Sequence, residues 1–115
     1  MSPIQRLEES LQDGTGVYVD SGTNAEQYLA DLASEIRRNL CAPFDLCAVV
    51  TEPGFPNVSQ RPIGATVQAI CVAHRAGYWL VYDQVRDEFM CFWGTSKEHL
   101  SAPGIFGSPL YCWSA

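Results

Sequence analysis

The sequence holds a single lysine, Lys97, and its six arginines are scattered. Nucleic acid and anionic lipid are bound through clustered cations, which single-strand readers interleave with aromatic rings. No such stripe is present, so neither nucleic acid nor a membrane surface is expected as a partner. Long apolar runs are missing as well. Nothing approaches the roughly 18 to 20 residues a membrane span requires. The segment Met1-Ser2-Pro3-Ile4-Gln5-Arg6-Leu7-Glu8-Glu9 lacks the basic region and apolar run of a signal peptide, which makes the cytoplasm the expected location.

Metal-ligand spacing is also absent. There is no Cys-x-x-Cys and no His-x3-His, and five residues separate Cys41 from Cys47, so no metal and no cofactor is expected. Phosphate cradles fail on context. Gly14-Thr15-Gly16 precedes a strand pattern instead of opening a helix, and Gly104-Ile105-Phe106-Gly107 lacks the Lys-Ser/Thr that should follow. Cysteines are odd in number: Cys41, Cys47, Cys71, Cys91 and Cys112. All but Cys41 sit in apolar, strand-like runs, where cysteine behaves as a small hydrophobe, and the set reads as reduced.

What is present is ample core material. The 115 residues are 47% hydrophobic, with three Trp, five Tyr and five Phe. A chain of this length forms one domain, here residues 1–115, and buries roughly two thirds of its unfolded surface. Net charge is −6, distributed unevenly: residues 1–57 carry nine acids against three arginines, and residues 58–115 carry four of each sign. A one-sided negative field serves solubility or favours a basic protein partner.

Ser2-Pro3-Ile4-Gln5 combines a capping residue, a first-turn proline and a capping-box glutamine, predicting a short helix that ends at Asp13-Gly14. Gly16 to Asp20 alternates and reads as a strand. Thr23-Asn24-Ala25-Glu26 supplies a second capping box. The helix after it runs to about Leu40, with Tyr28, Leu29, Leu32, Ala33 and Ile36 on one arc. Strands follow at Phe44–Val50, Ala65–His74, Tyr78–Asp83, Phe89–Trp93 and Leu110–Trp113. The expected fold is α+β, in the order α-β-α-β-β-β-β, with Leu110–Trp113 as a further short strand at the end. It comprises an antiparallel sheet of about five strands with two helices on one face. The small residues Ala65, Val67, Ala69, Cys71 and Ala73 place the long helix against that side.

Both parities of the later strands are rich in large groups. Tyr78, Leu80 and Tyr82 oppose Trp79 and Val81; Phe89, Cys91 and Trp93 oppose Met90 and Phe92. Two helices cannot shelter all of these, so curvature, a loop, a second subunit, a ligand or a partner must cover the second face. Two long loops, Thr51–Gly64 and Gly94–Pro109, carry Phe55 and Phe106 near their tips and read equally as cover or as binding elements.

No catalytic residue is assigned. His74 and Cys71 point to opposite faces of one strand. Cys91 with His74 and Asp83 is conceivable across strands, but no cysteine-enzyme motif surrounds them, and an enzyme is not expected.

The short α+β chain and the aromatic hairpin series, Gly77-Tyr78-Trp79-Leu80-Val81-Tyr82-Asp83 to Phe92-Trp93-Gly94, resemble the small, acidic, cytoplasmic immunity proteins of bacterial polymorphic-toxin and effector systems. That resemblance implies an antitoxin-like inhibitor that binds a cognate toxin and occludes its active site. The element order also resembles a shortened NTF2-like cone, which implies small-ligand binding or enzymatic chemistry in a sheet cavity. Charge and loop position select Asp13, Asp20, Asp31, Glu52, Phe55 and Phe106 as partner-binding residues. A homodimer using the aromatic face on itself is the third reading.

Overall fold

A computed structural model describes residues 2–52 and 62–114. Helix α1 spans Pro3–Ser10 and starts as its sequence dictates. The Ser2 hydroxyl accepts the Gln5 N–H at 3.1 Å, and the Gln5 side-chain oxygen accepts the Ser2 N–H at 2.8 Å. Helix α2, Ala25–Arg38, is capped by Asn24, one residue later than the capping box suggests; its side chain accepts the Gln27 N–H at 3.0 Å. Leu32, Ala33 and Ile36 form the buried stripe of α2, with Glu26 in its first turn and Arg37 and Arg38 in its last. That charge order complements the helix dipole.

The strands are β1 (Leu40–Val50), β2 (Thr66–Arg75), β3 (Tyr78–Asp83), β4 (Glu88–Trp93), β5 (Ser101–Ala102) and β6 (Phe106–Gly107). The fold is α+β, as expected. The strands β1 to β4 pair antiparallel in sequence. The sheet then does something the order of elements does not announce. β5 pairs antiparallel with β4, Trp93 facing Ser101, and parallel with β1, Val49 facing Ser101 and Val50 facing Ala102. Every strand from β1 to β5 thus has a neighbour on each side, and the sheet closes on itself.

The closing stave is interrupted. β6 pairs with β4 through Phe89–Gly107 and Met90–Phe106, and Cys91 donates its N–H to the Ile105 carbonyl at 3.2 Å between the two pieces. β5 and β6 therefore line one edge of β4, broken at Pro103-Gly104. Pro43 lies in β1 where the register slips between Leu40 and Phe44, a place where a missing N–H breaks no ladder bond.

Closure sorts the two strand faces into two cores. Leu46, Ala48, Val50, Val67, Ala69, Cys71, Trp79, Val81, Met90, Phe92, Leu100 and Ala102 form one cluster, the interior. Val72, Ala73, Leu80, Tyr82, Phe89 and Cys91 form the other with Leu7, Leu11, Leu32, Ala33, Ile36, Leu110, Cys112 and Trp113, beneath the helices. Both parities are apolar because both are inside. Apart from Trp93, which stays partly exposed, the surplus of large groups is sheltered by the chain itself, chiefly by curvature and by the 94–109 segment acting as cover.

Three local expectations are corrected. Leu110–Trp113 belongs to helix α3, Pro109–Ser114; Ser108 accepts the Tyr111 N–H on its hydroxyl at 3.3 Å and the Cys112 N–H on its carbonyl at 3.0 Å. Gly16–Asp20 pairs with no strand among the described residues and is irregular. Val67, Ala69 and Cys71 face the interior, not α2, because five staves enclose a narrow space that small groups must partly fill. The slip between Cys71 and Ala73 turns Ala73 to the helix side. Among the described residues no helix is long and apolar enough to cross a membrane.

Candidate functional site

The segment between α1 and α2 is shaped by contacts at both ends. Asp13 accepts the Thr15 N–H at 2.9 Å, and these hydrogen bonds from Thr15 hold its carboxyl below the usual range. Gly14 lies against Leu29 of α2, where an added Cβ would come within 2.8 Å of the Leu29 side chain. Gly16 has φ +85° and abuts the Tyr111 ring, a backbone conformation that favours glycine. The Ser108 hydroxyl donates to the Thr15 carbonyl at 3.1 Å. Pinned in this way, the chain presents alternating side chains without being a strand. Val17 packs on the outer cluster and Val19 is half-buried, while Tyr18 and Asp20 are exposed, Tyr18 to 80%.

Tyr18, Val19, Asp20, Thr23 and Tyr28 line a shallow groove of about 180 Å³ between this segment and the start of α2. Two phenol rings and one carboxylate are suited to a cationic side chain, since aromatic faces attract cations and a carboxylate pairs with them. The groove lies in the most lopsided part of the chain. Glu8, Glu9, Asp13, Asp20, Glu26, Asp31 and Glu35 occur between Arg6 and Arg37 without an intervening Lys or Arg. Glu8 pairs with Arg37 at 3.4 Å and Glu35 with Arg75. Among the described residues the others in that run make no ion pair.

The six expected contact residues are not one patch. Asp20 lies in the groove, and Asp31 is one helical turn from Tyr28, hydrogen-bonded by the Gln27 amide at 2.8 Å. Asp13 sits at the turn beside Gly14. Glu52 follows β1 at the end opposite its junction with α2, and β1 is eleven residues long. Phe106 is half-buried in β6 against the inner cluster. Phe55 lies outside the described residues. Sequence reasoning missed Tyr18 and Tyr28. The available signal was an aromatic ring, Tyr18, sharing the outward parity of Asp20.

The catalytic trio is not assembled. Cys91 is fully buried in the outer cluster, and burial pushes its thiol up. His74 stacks on Trp79 of the inner cluster, with ring centroids 4.7 Å apart. Asp83 accepts the N–H groups of Val85 and Arg86 at 3.0 and 3.2 Å and so caps the β3–β4 turn. Among the described residues no group of three or more His, Cys, Asp or Glu side chains could hold a metal ion. No protein-family model, no curated protein and no solved structure matches the chain.

Proposed function

We propose that the protein is a cytoplasmic immunity-type inhibitor that binds a basic cognate toxin and blocks it sterically. The observation that carries this reading is the exposed Tyr18–Asp20–Tyr28 groove within a base-free acidic stretch. The covered aromatic face no longer contributes to it. Carboxylates of that stretch would speed encounter with a basic surface, and the tyrosines would hold a Lys or Arg side chain once docked.

The test co-expresses the protein with the product of the adjacent reading frame and measures growth rescue, then follows association by stopped flow. Rescue is expected, with an association rate that falls steeply as salt rises. Tyr18→Ala and Asp20→Asn are expected to weaken binding at least tenfold without changing the melting temperature. No rescue, or binding indifferent to both salt and Tyr18, overturns the reading.

A further inference from the structure

Cys41 and Cys71 stand apart from the other cysteines because they touch. Their sulfurs are 3.8 Å apart, with Cys41 half-exposed on β1 and Cys71 fully buried on β2. Cys47 is exposed on β1 without a cysteine partner, and Cys91 and Cys112 are sealed under the helices. Accessibility and adjacency coincide at one pair only.

We propose that Cys41 and Cys71 form a reversible disulfide, a dithiol switch that ties β1 to β2 on exposure to a small disulfide oxidant such as glutathione disulfide. A disulfide requires the sulfurs at roughly 2.05 Å, so they must approach by about 1.8 Å. The backbone at this spot can yield. The β1–β2 register slips between Leu40 and Phe44, and the β2–β3 register slips between Cys71 and Ala73. Slipped positions lack regular ladder bonds and bend more readily than paired ones.

The two sulfurs divide the labour. Cys41 is reachable and attacks first; Cys71, held by a contact from its thiol to the Ala73 carbonyl at 3.6 Å, resolves. Burial pushes both thiols up, Cys71 further, and the nearby Lys97 ammonium works against it at both. Lys97 is placed there by its seat over the Phe44 ring, 4.8 Å from the centroid. The Cys41 thiolate displaces one small thiolate from the oxidant, giving a mixed disulfide. The Cys71 thiolate then attacks Cys41 Sγ and displaces the second. Two electrons pass from the cysteine pair to the small disulfide, and the two thiol protons finish on the two small thiols released.

The decisive experiment incubates the native Cys47→Ser protein with glutathione disulfide and maps peptides without reduction. The expected product is two hydrogens lighter, free of adduct, and yields a Cys41–Cys71 linked peptide that dithiothreitol separates. Its denaturation midpoint should rise on oxidation, because residues 42–70 are enclosed in a covalent loop. Cys41→Ser in the same background should abolish the linked peptide, and Cys71→Ser should leave a lasting glutathione adduct on Cys41. Should Cys71→Ser fail to fold, the map of the Cys47→Ser protein still decides. Free thiols at both positions after exhaustive treatment, an unresolved adduct on Cys41 beside an intact Cys71, or linkage only after denaturant is added overturns the proposal.

Discussion

Asp87 shows how one carboxylate can join elements distant in sequence. It accepts Arg6 Nε of α1 at 2.8 Å and the Tyr82 hydroxyl of β3 at 2.6 Å, so helix and hairpin are tied through one oxygen. Arg6 first, and Tyr82 second, hold its carboxyl below the ordinary value of 3.8. A carboxyl depressed in the folded state stabilises fully above its unfolded pKa, and the gain is lost as pH falls through the lower folded value. Asp87→Asn should therefore lower the melting temperature at pH 7, and the deficit should shrink as pH falls below 3.8 and through the lower folded value. Asn tolerates the backbone there, where φ is +51°, so the pH dependence isolates the charge. Gly94 makes the opposite kind of contribution, through absence. Its φ is +153°, and an added Cβ would lie 2.7 Å from the His99 carbonyl oxygen. Gly94→Ala should cost more than about 1 kcal/mol in urea denaturation, since backbone cannot step aside as a flexible side chain can.

At the level of elements, α3 and β5 are where sequence and structure part. Ser108→Ala removes the α3 cap and should cost about 1 kcal/mol, measured by chemical denaturation. Leu100 reads as a loop residue yet is 5% exposed in the interior. Leu100→Ala should lose about 2 to 5 kcal/mol, the scale of a core truncation, where a loop position would lose almost nothing. The helices α1 and α2 and the strands β1 to β4 were legible because caps, turn glycines and periodicity agree there. Leu110–Trp113 was not, because four apolar residues fit either period and length alone cannot arbitrate. Ser108-Pro109 repeats the Ser2-Pro3 start signal and was the available clue. β5 was invisible because two residues carry no pattern, and only the partner strands make them a strand. Of the candidate site, Asp20 and its outward parity were readable. The tyrosine neighbours depend on how the 13–23 segment is pinned by Leu29 and Tyr111, which no local pattern encodes.

For the whole molecule, closure determines what the surface can offer. With Trp79, Met90 and Phe92 inside, the exposed large apolar groups among the described residues are Tyr18, Ile63, Val85 and, in part, Leu40, Val49 and Trp93. Trp79, Met90 and Phe92 are not at the surface for a second copy to use, and light scattering is expected to report a monomer. The final bond between the ends of this circuit is remote. Thr51 donates its N–H to the Ala102 carbonyl at 3.0 Å across 51 residues of chain. A chain ending at Gly94, without β5, β6 and α3, should bind an apolar dye and aggregate, and the 115-residue chain should do neither. During synthesis the same shortfall is unavoidable. Until residues 95–114 have left the ribosome, the nascent polypeptide is a trough with an oily floor and no lid, and its safety depends on how quickly that segment emerges or on whatever chaperone reaches it first.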